Sequence, residues 1–157
     1  MIPRGDGDGW TYCAQGHKHW GIHGAAGLLL RYSDPAGGDQ VLLQHRALWS
    51  HHGGTWGILG GARNSGETPV HTAAREAAEE AGFGPERYSV VGEHVDDHGG
   101  WSYTTIVGHA DSALALTALT AETIISTFMS ASRPRAASSP SAAMSTSARA
   151  SAPLSPR

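Results

Sequence analysis

Cysteine is nearly absent from this chain. Cys13 stands alone, so no internal disulfide can form, and a reducing, cytoplasmic setting is expected. Long apolar runs are missing as well: no stretch approaches the length that a membrane-spanning helix requires, and the first residues lack the charged-then-apolar build of a secretory leader. Apolar residues make up 39% of the 157 positions while glycine occurs 21 times, which points to one domain with a modest core. Acids are missing from the last part of the chain. All 14 lie at or before Glu122, together with seven of the 11 Lys and Arg, so the net charge of −3 divides into −7 up to that residue and +4 beyond it. An acidic body lacks the basic face that nucleic acid requires. Neither nucleic acid nor membrane is therefore an expected partner.

What the chain does have is residues 61–83, GARNSGETPVHTAAREAAEEAGF. Their second half reads as a short helix. Thr68 suits the N-cap, Pro69 the first helical position, and Gly82 the left-handed residue that ends it. Val70, Ala73, Ala74, Ala77 and Ala81 form a narrow apolar stripe, and Glu76, Glu79 and Glu80 stand at i, i+3 and i+4 on another side. Like charges at that spacing destabilise a helix by roughly 0.2–0.5 kcal/mol per pair. A hard divalent cation such as Mg2+ would offset the repulsion and keep positions open for water and substrate phosphates. A lone EAAEE run is more often a solvated helix face. The wider pattern G-x5-E-x7-R-E-A-x-E-E-x-G-F also sets Gly61, Glu67, Arg75 and Gly82 at definite spacings, and it favours the metal reading.

This pattern resembles the signature box of the Nudix hydrolases, G-x5-E-x7-R-E-U-x-E-E-x-G-U, in which U is a bulky apolar residue. Every specified position is met; Ala77 is smaller than the usual U residue, which implies a thinner contact between helix and sheet. The resemblance implies an α/β fold, an αβα sandwich with a mixed β-sheet, and Mg2+- or Mn2+-dependent cleavage of a diphosphate linkage in a nucleoside diphosphate derivative. Carried over residue by residue, it makes Glu76, Glu79 and Glu80 metal ligands, Glu76 a candidate base, and the backbone carbonyl of Gly60 a further ligand. It makes Arg75 the ion-pair partner of the glutamates and Glu67 the brace of the loop. Members also draw an acid from a loop late in the chain, and Glu122 is the one left for that part. The chemistry agrees: a cation on phosphate oxygens offsets their charge and lowers the pKa of the attacking water, and glycines at 60 and 61 permit close backbone approach.

The rest of the chain is read from patterns alone. Residues 1–17 are expected to be a loose N-terminal segment, Gly- and Asp-rich at its start. Cys13, His17, His19 and His23 have a spacing that could hold zinc. It matches no zinc pattern, and a zinc-free loop or edge strand with a buried cysteine and surface histidines is the expected reading. Residues 24–32 and 41–46 read as strands of a hairpin around the turn DPAGGD. Arg46, leaving the second strand towards the box, could contact a phosphate. The loop WSHHGGTW offers Trp49, His52 and Trp56 to stack on or hydrogen-bond a base or sugar, with plain coverage of the core edge as the alternative. Residues 57–60 form a short strand into the box. Strands at 87–96 and 101–110 flank a D-H-G-G turn, where His94, Asp96, Asp97 and His98 read as loop polarity.

Ala121, Ile124, Ile125, Phe128 and Met129 repeat at helical spacing and argue for an amphipathic helix over 121–130. Residues 131–157 are nearly all Ser, Ala, Pro and Arg with no acid, too poor in apolar surface to offset ordering entropy, and disorder is expected. The domain, 18–130, is thus expected to be short at its C-terminal end. The expected activity is Mg2+-dependent hydrolysis of a nucleoside diphosphate derivative, first a (deoxy)nucleoside triphosphate. ADP-ribose or a nucleotide sugar is the alternative substrate. A non-catalytic nucleotide sensor, or an inactive truncated product, is the alternative of another class. The intact glutamates favour the enzyme. The expected partner is a nucleotide; a homodimer stays open.

Overall fold

The computed structural model describes residues 5–36, 38–50, 53–112, 114–116 and 123–130. Its axis is a strand we label β3, Ala25–Ser33, buried from Ala25 to Leu28 and again at Leu30. A strand covered on both faces reads as a continuous apolar run rather than an alternating one, as GAAGLLL does. Two short strands precede it, β1 (Trp10–Tyr12) and β2 (Lys18–Trp20), paired antiparallel as a separate ribbon. After it come β4 (Asp39–Arg46), β5 (Trp56–Gly57), β6 (Leu59–Ala62), helix α1 (Pro69–Ala81), β7 (Ser89–Asp97), β8 (Ser102–Ala110) and β9 (Thr123–Ser130).

The seven-stranded sheet is mixed. β3 runs parallel to β8 from Ala25↔Tyr103 to Tyr32↔Ala110, and its other neighbours are antiparallel. β3 and β4 pair only at their turn end, Arg31↔Val41 to Ser33↔Asp39. Below that they part, and β5 and β6 fill the wedge: β6 pairs with the first half of β3, β5 with Gln44 and His45 of β4. The split delivers the chain into residues 61–83 at the middle of the sheet. Close backbone approach at the Gly27↔Gly60 pair is possible because a Cβ on either glycine would collide with main chain and with the Tyr103 hydroxyl.

The helix forms as its residues dictate. Thr68 Oγ1 accepts from His71 N at 3.2 Å, Pro69 opens the first turn, and Gly82 closes the helix at φ 78°. Ala73, Ala77 and Ala81 are fully buried in one core with Leu28, Leu30, Leu42, Leu59 and Ile106. Small residues let the helix axis lie close to the sheet. Val70, expected on the buried stripe, is exposed, and Thr72 is buried instead. Its hydroxyl bonds Glu67 Oε2 at 2.9 Å and Thr68 O at 3.2 Å, so this buried hydroxyl is paired.

Two expectations are corrected. Residues 5–17 are not loose. Beyond β1, Asp6 accepts from Ser65 N and Ser65 Oγ, Ile22 N donates to Gly7 O, and a Cβ at Gly7 would strike the carbonyl of Arg63. Glycine there serves tight backbone packing rather than mobility. Residues 123–130 are a strand and not a helix: β9 pairs antiparallel with β4 from Gln40↔Ser130 to Arg46↔Thr123. An open β4 edge offers a row of unpaired backbone groups, and the β-branched run Thr-Ile-Ile-Ser-Thr prefers extended backbone. The α/β class and the mixed sheet stand as expected, with α1 the one α-helix among the described residues. The expected tail, 131–157, lies outside them.

Candidate active site

The three glutamates and the arginine of α1 are each held by a named partner. Arg75 is the hub. Its Nε lies 2.9 Å from Glu67 Oε1, its Nη1 2.7 Å from Glu76 Oε1 and 3.4 Å from Glu79 Oε2, and its Nη2 donates to Ala62 O at 2.9 Å. Glu67 in turn accepts from Asn64 N at 3.0 Å and Thr72 Oγ1 at 2.9 Å. The guanidinium and these donors hold its carboxyl down at about 2. The hydrogen bond that Arg75 donates to Glu67 raises Arg75 in return. Arg75 thus pairs with Glu67, and Glu67 in turn bonds the backbone of the loop at Asn64.

Glu80 sits deeper. Its Oε2 accepts from Gly60 N at 3.1 Å and from Gln44 Nε2 at 3.0 Å. Burial, reinforced by the nearby Glu76 charge, pushes Glu80 up to about 8; burial likewise pushes Glu76 up to about 7, against the pull of Arg75. Two partly buried carboxyls, the charge of one raising the other, disfavour double ionisation unless a positive charge offsets them. A Cβ at Gly61 would occupy the place of the Glu76 carboxylate, so the glycine is the cradle in which that group rests. Hard oxygen donors on Glu76, Glu79 and Glu80, beside the Gly60 backbone, fit a divalent cation of the Mg2+ or Mn2+ kind.

These groups open on a cleft of about 970 Å3. Arg46, Trp49, Gly60, Arg75, Glu76, Glu79 and Glu80 all line it. Trp56 does not. Thr55 and Gly57 face the cleft, and strand alternation turns Trp56 the other way, against His45 at 4.9 Å between ring centroids. His52 and Glu122 lie outside the described residues. Sequence reasoning missed Gln44 behind Glu80, and in the cleft Tyr103 and the far wall: Trp10, Lys18, His19 and Trp20 of the ribbon, with Trp101. Gln44 had a signal, since it shares strand parity with buried Leu42 and is itself buried. The wall had none, because nothing local places the ribbon opposite α1.

The ribbon also carries a second cluster. Cys13, His17 and His19 converge with His98, their ligand atoms all within 4.8 Å of one another. His23, grouped with them by spacing, is exposed and stands outside the cluster.

Comparison with known proteins agrees with this architecture. The chain is 55% identical over 119 residues, 71% of its length, to a Mycobacterium tuberculosis protein described as "Putative 8-oxo-dGTP diphosphatase 3", of which it covers 54%. It is 55% identical over 102 residues, 64% of its length, to a nucleoside triphosphate pyrophosphatase/Nudix hydrolase fusion protein of Bifidobacterium longum, of which it covers 21%. It therefore spans about half or less of the length of these relatives. Among solved structures it is similar to RenU, a Nudix hydrolase of M. smegmatis, with a TM-score of 0.73 and 43% identity over 79% of this chain and 80% of that one. An Ap4A hydrolase of C. elegans shares the fold at a TM-score of 0.56 and 21% identity, over 69% and 80% of the two chains. The NUDIX domain model matches residues 22–124, and with the arginine-braced glutamates of α1 standing on a split mixed sheet, this chain belongs to the NUDIX domain family.

Proposed function

We propose that this domain hydrolyses a nucleoside triphosphate to the monophosphate and diphosphate with Mg2+ as cofactor, and that oxidised purine deoxynucleotides are its first substrates. The observation that carries the reading is the pair Glu76 and Glu80, partly buried and held by named partners at one end of a cleft whose opposite wall is aromatic. Bound Mg2+ would supply charge neutralisation on the phosphates and a lowered pKa for the attacking water. Arg75 Nη1 occupies Glu76 Oε1, which leaves Oε2 to receive the proton that the water loses. Water adds to phosphorus, the bridging P–O bond breaks, and its electron pair leaves with the diphosphate. Arg46, on the cleft side of β4, is the cation for the leaving phosphates. Trp49, Trp10 and Trp20 offer ring faces to the base. The names of the M. tuberculosis and B. longum relatives support a triphosphate substrate.

The test is a turnover panel with Mg2+ over the common and 8-oxo deoxynucleoside triphosphates, ADP-ribose and nucleotide sugars, with Glu80→Gln as the control. The expected result is release of diphosphate, fastest from an oxidised purine triphosphate. Preference for ADP-ribose would redirect the substrate assignment. Nucleotide binding without turnover would make the domain a sensor and overturn the hydrolase reading.

A further inference from the structure

We infer that Cys13, His17, His19 and His98 form a structural zinc site that clamps the β1–β2 ribbon onto the β7–β8 turn and so sets the far wall of the cleft. The cluster is independent of the carboxylates on α1.

Its parts converge from two places far apart in the chain. Cys13 and His17 are brought together by a tight turn: Cys13 N donates to His17 O at 3.0 Å and Gly16 N to Cys13 O at 2.9 Å. Gly16 stands at φ 80°, a left-handed conformation that favours glycine. His19 follows two residues on along the ribbon. His98 comes from the opposite side, at the end of β7, where His98 N donates to Trp101 O at 2.9 Å. The two segments are joined directly by Ala14 N donating to Gly99 O at 2.8 Å.

Two of the ligand atoms need a partner. His19 Nε2 and His98 Nδ1 are buried side-chain nitrogens with no hydrogen-bond partner among the described residues, and both residues belong to the cluster. Buried polar atoms are ordinarily paired, so each orphan calls for an explanation. A metal ion explains both at once. His98 uses its other nitrogen on a carboxylate, Nε2 to Asp96 Oδ2 at 3.1 Å. That is the outer partner which fixes the tautomer of a metal-bound imidazole and leaves Nδ1 free to ligate. His19 is held by stacking on Trp101, ring centroids 3.9 Å apart and planes within 10°. The Cys13 thiol is buried beside Ala25 and Trp101.

The donor set selects the ion. One thiolate and three imidazoles suit tetrahedral zinc. With ordinary Zn–N and Zn–S bonds the ligand atoms of such a site lie about 3.3–3.8 Å apart, so atoms now within 4.8 Å would draw together by about 1 Å. Four protein ligands leave no open position, which makes the site structural and not catalytic. The ribbon has reason to need it. Each strand is three residues long, and a two-stranded ribbon is marginal by itself.

The test starts from the full-length chain, purified without added chelator or histidine tag. Elemental analysis should find about one zinc per chain. Cobalt added to metal-stripped protein should produce the thiolate-to-cobalt absorption band and the intense visible bands of a tetrahedral site. Cys13→Ser and His98→Asn should each reduce bound zinc at least about fivefold, and Cys13→Ser should remove the thiolate band. His23→Asn and Glu80→Gln should keep both metal and band. Failure of turnover in Glu80→Gln with zinc retained separates this site from the hydrolase reading. Should Cys13→Ser prove insoluble, the cobalt spectrum of the unmodified protein and the zinc content of His98→Asn decide. Absence of both zinc and cobalt band in the unmodified protein would overturn the inference, and so would zinc retained at one equivalent in both Cys13→Ser and His98→Asn.

Discussion

The glutamate centre on α1 and the Cys/His cluster at the ribbon are both built to gather donors, yet they are assembled in opposite ways. The first is local: three carboxylates on two turns of one helix, oriented by an arginine from the same helix and a glutamate eight residues before it. The second joins a turn at residues 13–19 to a hairpin tip about eighty residues later. The local centre stores repulsion, which a hard cation relieves. The distant cluster stores unpaired imidazole nitrogens, which a softer cation would satisfy. Helical spacing alone can create the first kind of site; only a folded sheet can create the second.

The comparison can be broken most decisively at the glutamates. Glu80→Gln and Glu79→Gln should each lower Mg2+-dependent turnover at least about 100-fold, since a charged group at the reacting phosphate acts in the transition state. Circular dichroism and zinc content should stay those of the unmodified chain. Wild-type rates at saturating Mg2+ would remove these residues from the reaction.

Next in size is the arginine hub. Arg75→Ala leaves Glu67 and Glu76 without their cation, and breaking such a half-buried network costs about 2–4 kcal/mol. The melting temperature should fall by about 4–16 °C. A drop of less than about 1 °C would mean that the network is solvent-screened and holds no part of the fold. Arg75→Lys should restore little, because an ammonium cannot fork to Glu67, Glu76 and the Ala62 carbonyl together.

A smaller effect distinguishes the centres by pH. Glu76 and Glu80 have folded values of about 7 and about 8 against 4.5 unfolded. Between 4.5 and about 8 the folded chain therefore holds protons that the unfolded chain has released, and stability falls as pH rises through that window. Glu67 works the other way. Its folded value of about 2 contributes stability that is present above 4.5 and is lost as pH falls towards 2. Thermal melts without Mg2+ should thus decline from about pH 5 to pH 8, and Mg2+ should flatten the decline by holding both carboxyls ionised. A melting temperature that rises across the same window without Mg2+ would contradict the burial assigned to the pair.

The smallest effect is expected at Trp56. Trp56→Ala should leave KM within about twofold, whereas Trp49→Ala should raise it, because one ring faces away from the cleft and the other lines it. Equal losses in the two variants would return Trp56 to the substrate site.

Much of this was legible in the chain. The caps of α1, the hairpin turn at 34–39, the paired strands β7 and β8 and the glutamate spacing are all set by residues within a few positions of one another. Backbone conformation and helical periodicity depend on such neighbours. The failures share a cause. The amphipathic pattern at 121–130 is sound as a helix pattern, yet the free edge of β4 draws it into a strand. Glycines at 5–9 suggest freedom, but the close pass of Arg63 uses them for contact. Trp56 looks like a base platform until the two-residue strand β5 turns it outward.

By itself, then, the sequence determined the family, the helix and its caps, and the oxygen-donor centre with its arginine, because each rests on interactions along one short segment. Tertiary structure alone decided which wall faces that centre, that Gln44 supports Glu80, and that His98 rather than His23 joins Cys13, His17 and His19. These depend on which strands pair across large separations in the chain, and pairing is settled by burial of the whole sheet rather than by any local spacing.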